Sequence, residues 1–268
     1  MTSVSDRPDL TQTLDGQPIR LQRKGPGRYH LNGERVLSVT TILNEGVPKP
    51  ALVDWAAKVT AQAAVNDWED LSRLPVSDRL ERLIAAHWET RDRAALTGTA
   101  IHALGEALVQ GQSVDVPDVH RPAVEAYARF LDRYDVQPIA VERPVCHYAH
   151  GWAGQFDLRA RVRGGTDWLF DLKTSRGIFD NNALQLAAYA SAELVALDAS
   201  GDLSVWAPPE RCGFIHIKGD SVELRPLAEG AVEALYRAFR HAAEVARWGR
   251  QAKEESPIDG ALELPQAG

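Results

Sequence analysis

The sequence predicts an α/β core with an N-terminal helical lobe. Apolar residues recur at helical spacing as far as Tyr134, and from Ile139 onward they alternate with a period of two. The elements then read as helices, three strands, a helix, strands and a helix. At 268 residues, with 44% hydrophobic and 25% charged side chains, the chain suffices for one large domain or a domain with an appended lobe.

Residues 1–24 are polar and without period, and read as a flexible N-terminal segment. Tyr29 to Val36 reads as a hairpin, because Asn32-Gly33 supplies the positive φ angles of a type I′ turn. Ser38 or Thr40 suits the cap of the next helix. Leu52, Val53, Trp55, Ala56 and Val59 follow Pro48 and Pro50 with helical spacing. The helical pattern continues through Leu80, Leu83, Ile84 and Trp88 to Ile101, Leu104 and Leu108, with Gly111 as its stop. Pro122 fits the first turn of another helix, with Val124, Tyr127, Leu131 and Tyr134 on one stripe. Residues 25–135 thus form the hairpin and helical lobe.

Residues 136–250 form the expected core. Ile139 to Val145 is a strand ending near Pro144. Phe156, Leu158, Ala160 and Val162 alternate with Asp157, Arg159, Arg161 and Arg163. Gly164-Gly165 turns the chain, and Trp168 to Leu172 is a short apolar strand. Asn181 to about Leu197 reads as a helix. Gly213 to Ile217 and Ser221 to Leu224 make a hairpin around Gly219-Asp220. Val232, Leu235, Tyr236, Phe239 and Ala243 mark a final amphipathic helix, and residues 251–268 read as a flexible tail.

The chemistry lies in the hairpin from Gly154 to Lys173. Antiparallel partners have a constant residue sum and share a sheet face. A strict two-residue turn pairs 163 with 166, which sets Asp157 against Leu172 and turns Asp171 away. A three-residue loop, 163–165, pairs 162 with 166. Asp157 then opposes Asp171 with Cβ atoms about 5 Å apart, and Lys173 shares their face. Two carboxylates that close repel each other unless a cation lies between them. Hard oxygen donors favour Mg²⁺ or Mn²⁺, which acidifies a bound water and polarises a phosphate. Lys173 can orient or deprotonate that water, or offset charge in the transition state.

His102, in Gly98-Thr99-Ala100-Ile101-His102, can turn an imidazole nitrogen to the same ion. Glu142, one strand earlier, can bind that ion or a second one. Gln185 and Tyr189 share a helical face and can hold a backbone or orient the lysine. Taken singly, each has a plainer reading: Asp171 and Lys173 a surface ion pair, His102 a satisfied helix histidine, Glu142 a solvated strand residue, Gln185 and Tyr189 the polar edge of a packed helix with Tyr189 in the core.

Together the segments resemble the ordered motifs of the RecB-type branch of PD-(D/E)XK nucleases. They are Gly-x-x-x-His at 98–102, Glu142, Gly-x-x-Asp at 154–157, Asp-x-Lys-Thr at 171–174 and Gln-x-x-x-Tyr at 185–189. Ser38 to Leu43 and Trp55-Ala56-Ala57 also resemble the N-terminal portion of phage-encoded members. The resemblance implies a restriction-endonuclease-like mixed central sheet flanked by helices. It implies His102, Asp157, Asp171 and the Leu172 carbonyl as metal ligands, with Asp157, Asp171, Lys173 and Glu142 catalytic. Thr174, Gln185 and Tyr189 would contact nucleic acid. The implied activity is metal-dependent DNA hydrolysis, as an exonuclease in DNA processing, recombination or repair. A structure-specific endonuclease, or a non-catalytic nucleic-acid-binding module retaining the fold, is the alternative. The implied partners are DNA and a separate recombination or helicase protein, in the cytoplasm of a bacterial cell or phage-infected host. Two cysteines cannot supply the four ligands of an iron–sulfur cluster, which sets the chain apart from the family members that carry one. No Gly-Lys-Ser/Thr phosphate loop occurs, so the chain carries no helicase motor of its own.

Composition narrows the rest. The net charge of −7 is wrong for a generic DNA-coating protein, so nucleic-acid contacts must be local. Neither a membrane span nor a signal pattern is legible, and Cys146 and Cys212 suit a reducing cytosol. Cys146 with His150, and Cys212 with His216, have ligand-like spacing. Residues 212 and 216 lie on one predicted strand, roughly 13 Å apart, so zinc is not expected. Arg159, Arg161 and Arg163 share a face with Asp157 and either track phosphates or solvate that face. Arg20, Arg23, Lys24 and Arg28 read as a solvated basic stretch rather than a DNA clamp. A two-carboxylate glycosidase is a rival that the adjacent lysine and the short Asp–Asp distance do not suit.

Overall fold

The chain is a mixed α/β protein. The computed structural model describes residues 11–13, 16–198 and 200–258. Among these are a ten-stranded mixed sheet and seven helices. No helix among the described residues is long and apolar enough to cross a membrane.

The sheet opens with a meander of β1 (Leu21–Gly25), β2 (Arg28–Leu31) and β3 (Glu34–Ser38). Leu31 pairs with Glu34 around Asn32-Gly33, whose φ angles of 52° and 85° are those a type I′ turn needs. The meander begins inside the segment expected to be flexible as far as residue 24, and this is a correction. Ile19 and Leu21 are buried with Tyr29, Leu31, Cys146 and Ala153. Two alternating apolar residues are too short a pattern to announce a strand. The rest of that expectation, residues 1–10, 14 and 15, lies outside the described residues.

Ser38 caps α1 (Val39–Gly46), its hydroxyl accepting from the Thr41 amide at 3.0 Å. Pro50 starts α2 (Pro50–Asn66), which is followed by α3 (Trp68–Ser72) and the 34-residue α4 (Val76–Val109). Gly111 ends α4 with φ 72°: its amide reaches the Leu108 carbonyl, and the Gln112 amide reaches that of Ala107. α5 (Arg121–Arg133) carries its proline in the first turn.

β4 (Gln137–His147) and β5 (Trp152–Val162) form a long antiparallel pair at the centre. The strand does not end near Pro144: it runs on to His147, because Val145 and Cys146 pair on the other side with β7 (Leu194–Ala196). β6 (Thr166–Lys173) returns against the end of β5. α6 (Asp180–Ala190) has Phe179 as its N-cap residue, and the Asn182 side chain accepts from the Phe179 amide at 2.8 Å. The expected helix to Leu197 stops at Ala190, since Leu194 to Ala196 are taken by β4 and by β8 (Leu203–Val205). Sheet pairing there overrides the helix propensity of the Ala-rich run. β9 (Arg211–Lys218) lies parallel to β6 and turns at Gly219-Asp220 into β10 (Ser221–Pro226). α7 (Ala231–Glu254) ends the fold. It continues into the expected tail, whose residues 259–268 lie outside the described residues.

Two layers of helices cover the sheet. α1, α6 and α7 bury Ile42, Leu186, Tyr189 and Phe239 with Trp152, Phe156 and Phe214. On the other side, Ile101 of α4 and Tyr127 and Phe130 of α5 pack on Leu158, Phe170, Leu172 and Ile215. The expected division at 135/136 therefore separates no two cores. α1 and α5 each complete one with later strands, and β3 joins β5 directly through Leu37 and Ser38. The part of the helical lobe that stands apart is α2 with the first half of α4. α2 buries no residue, and Leu80, Ile84 and Trp88 of α4 are exposed.

Candidate functional site

The loop between β5 and β6 has three residues. Val162 pairs with Thr166, and Gly164 and Gly165 both have φ 86°. The ladder continues to Leu158 opposite Phe170, and the same residue sum sets Asp157 across from Asp171. Backbone pairing stops there. β3 pairs with β5 at Trp152 and Ala153, and β6 pairs from Leu158 onward, so 154–157 form a gap along that edge. Asp157 bridges the gap with its side chain, one carboxylate oxygen accepting from the Leu172 amide at 2.7 Å.

Glu142 faces the same gap from β4, opposite Asp157 in a register bracketed by Val141–Leu158 and Arg143–Phe156. Its φ of 49° is left-handed, a strained conformation for a residue with a Cβ. The sheet changes sides at this point. Val141 and Leu158 pack under α4 and α5, whereas Val145 and Phe156 pack under α6 and α7. Strict alternation would have kept Phe156 and Leu158 on one face. The turnover aims Glu142 and Asp157 at α4, where His102 waits.

The ligating atoms of His102, Glu142 and Asp157 all lie within 4.8 Å of one another. His102 Nδ1 is 3.7 Å from the Asp157 carboxylate. Gln155 donates an amide hydrogen bond to Glu142. Beside this cluster Asp171, 1% exposed, is ion-paired with Lys173 Nζ at 2.5 Å. The structure thus groups Glu142 with His102 and Asp157 and commits Asp171 to Lys173.

The electrostatics follow from crowding acids in a half-dry cleft. Burial, and then the nearby Asp171 charge, push Asp157 up to about 6, against the pull of His102, Lys173 and the Leu172 amide. Burial, and then Asp157, push Glu142 up to about 7, with Glu106 adding to the rise and Gln155 and Arg23 opposing it. Burial alone would lower Lys173, but Asp171 and Asp157 outweigh it and hold the ammonium charged. Two carboxylates and an imidazole, with both acids driven toward protonation despite the Lys173 ammonium and Arg23 nearby, fit a hard divalent ion.

The motif glycines answer to other motifs. A Cβ on Gly98 would lie 3.1 Å from Thr174 Oγ1, so the bare turn before His102 lets α4 close on Thr174. A Cβ on Gly154 would lie 2.5 Å from the Tyr189 ring, so Gly154 makes the room that Tyr189 fills.

Tyr189 is the clearest correction among the expected nucleic-acid contacts. It is 2% exposed in the core, its hydroxyl within 3.2 Å of Gln185 Nε2, and it cannot touch a polynucleotide from there. Gln185 sits partly buried beside it, and Thr174 lines a cavity of about 730 Å³ with Thr97, Ile101 and Arg93. Leu172 packs its side chain under α4 and α5. Arg159 is not free to track phosphate, being paired with Asp167 at 2.5 Å and laid over Trp206. Arg163 donates to the Arg133 carbonyl, whereas Arg161 is exposed. Cys146 and Cys212 sit in different core clusters, each thiol pushed up to about 12 by burial. His216 lies within 2.7 Å of the Ser175 carbonyl.

Gln155 and Glu106 were missed at the site. Gln155 lay inside the Gly-x-x-Asp motif, two residues before Asp157. Glu106 follows His102 by one helical turn, and both signals were available.

No family model matches the chain, and no curated protein matches it. A solved structure, that of SSO0001, aligns over 76% of this chain and 74% of its own at 14% identity, with a TM-score of 0.26. A likeness that low carries no argument about fold or function.

Proposed function

We propose that this chain is a metal-dependent deoxyribonuclease with a restriction-endonuclease-like core, related to the RecB-type branch of PD-(D/E)XK nucleases. The observation that carries the reading is one arrangement around one hairpin. Asp157 lies within ligand reach of His102 and Glu142, and its cross-strand partner Asp171 is paired with Lys173. A mixed sheet with helices on both faces supports the same assignment.

His102, Glu142 and Asp157 would hold Mg²⁺ or Mn²⁺, with Asp171 and the Leu172 carbonyl adjoining. The ion would supply Lewis acidity toward a phosphate oxygen and acidify a bound water. Gln155 fixes the Glu142 carboxylate, and the Leu172 amide fixes that of Asp157. Lys173 would place its ammonium against charge developing on the phosphate, and Asp171 would hold that ammonium in position. A cation held there would offset the two acids that keep Lys173 charged, and its amine would come closer to acting as a base. The reading favours an exonuclease, used in DNA processing, recombination or repair; a structure-specific endonuclease is the alternative.

End-labelled linear DNA and closed circular DNA, incubated with the protein and Mg²⁺ or Mn²⁺, test the reading. Loss of linear DNA with circles spared is the expected result, and nicked circles indicate the endonuclease. Asp157→Ala, Asp171→Ala and Lys173→Ala are each expected to abolish cleavage. Normal cutting by all three would end the assignment. DNA binding without cleavage across both metals would favour a binding module that keeps the fold.

A further inference from the structure

We propose that the cavity between β1 and β4 is a subsite for the backbone phosphates of the substrate, with Arg23 and Lys24 as its cations. This rests on the nuclease reading and says on which side of the centre the polynucleotide is held.

The cavity, about 620 Å³, opens onto the centre, because Glu142 and Gln155 belong to its wall. Glu106 and Asp198 also line it. A polyanion enters such an acidic space only where cations offset it, and the net charge of −7 offers no general attraction. Three cations line the cavity: Arg23, Lys24 and Arg143. Arg143 is already committed to the Leu197 carbonyl at 2.6 Å. Arg23 and Lys24 are exposed, and neither forms an ion pair or side-chain hydrogen bond among the described residues. By contrast Arg73, Arg91, Arg121, Arg225 and Arg250 all pair with nearby carboxylates.

The backbone is shaped to present both. On a regular strand, residues 23 and 24 would point to opposite faces. The β1–β2 register shifts here: Arg23 opposes Tyr29 and Gly25 opposes Arg28, which leaves Lys24 without a partner. Such a bulge re-aims side chains, and here both cations line the same cavity. Gly25 permits it with φ 138°. The platform is firm, since Leu21 and Tyr29 of the same meander are buried. The basic stretch that reads as a solvated surface in the sequence is, for these two residues, the lining of a cleft beside the candidate centre.

The test measures binding apart from cleavage. A fluorescein-labelled oligonucleotide is titrated by anisotropy with Mn²⁺ present, over a series of salt concentrations, in a Lys173→Met background. R23Q/K24Q is expected to bind about tenfold more weakly, and to lower the slope of log affinity against log salt by about two. R23E/K24E is expected to lose more. K58Q/R82Q, which removes the same charge from the exposed helical arm, is expected to leave slope and affinity within about twofold of the parent. If R23Q/K24Q melts at a lower temperature, the single variants replace it, each lowering the slope by about one. An unchanged slope in R23Q/K24Q, or an equal loss in K58Q/R82Q, overturns the subsite. DNA cutting by the wild type alongside an unchanged slope would sink the subsite alone. A wild type that neither binds nor cuts DNA would sink the nuclease reading and the subsite together.

Discussion

Replacing Asp157 by Asn separates the demands of the fold from those of the ion. Without metal, the Asp157 carboxyl titrates near 6 rather than 3.8, because it is buried and Asp171 faces it. Between those values the folded chain keeps a proton that the unfolded chain has lost, so this group removes stability as pH rises through the window. The rise from 3.8 to about 6 corresponds to about 3 kcal/mol at neutral pH, at about 1.4 kcal/mol per pKa unit. Asparagine keeps an oxygen for the Leu172 amide, now 2.7 Å from the carboxylate, and carries no charge. Asp157→Asn is therefore expected to match the parent near pH 4 and to exceed it by about 2–3 kcal/mol near pH 8. His147 works in the opposite sense. Burial pulls it down to about 3, so it adds stability as pH rises from there to 6.5, but it does so in both proteins and cancels. Urea denaturation with chelator present, at several pH values, reads the difference. Added Mn²⁺ then reverses the order. The parent gains about 4.1 kcal/mol when the ion is at a thousand times its dissociation constant, and Asp157→Asn gains little. A parent–variant difference that does not vary with pH, or a variant less stable than the parent near pH 8, would refute the buried, cation-seeking acid.

Lys173→Ala leaves the Asp171 carboxylate buried without its partner and is expected to lower metal-free stability by about 3 kcal/mol, read by the same denaturation. Glu142→Gln is expected to weaken Mn²⁺ binding at least tenfold, measured calorimetrically. It should also remove about half a proton from those released on binding near pH 7, since the parent carboxyl is pushed up to about 7. Gly154→Ala drives a methyl to 2.5 Å from the Tyr189 ring and is expected to destabilise by about 2 kcal/mol in thermal melts. Trimming the ring with Tyr189→Leu in the same protein should recover part of that loss.

Much of the local structure was written in short stretches. Asn32-Gly33, Gly164-Gly165 and Gly219-Asp220 mark their turns because few other residues tolerate positive φ there. Ser38 marks a helix start through a bond to its own third neighbour. Loop parity leaves two registers for Asp157 and Asp171, and the three-residue loop selects the one that opposes them.

Other features depend on segments far apart in the chain, and no local pattern encodes them. The β7 strand hides in an Ala-rich run because its partners are Val145 and Cys146. Tyr189 reads by spacing either as a backbone contact or as core, and a distant Gly154 without a side chain makes the room that buries it. Arg23 and Lys24 look solvated in sequence, and only a bulge and the neighbouring strands give them a cleft. Residue types, turn chemistry and periodicity were thus settled by the sequence itself, since they depend on each residue's own backbone preferences. The gap at 154–157, the turnover at Glu142 and the approach of His102 were decided by tertiary packing, which alone sets which side chains share one small, poorly hydrated space.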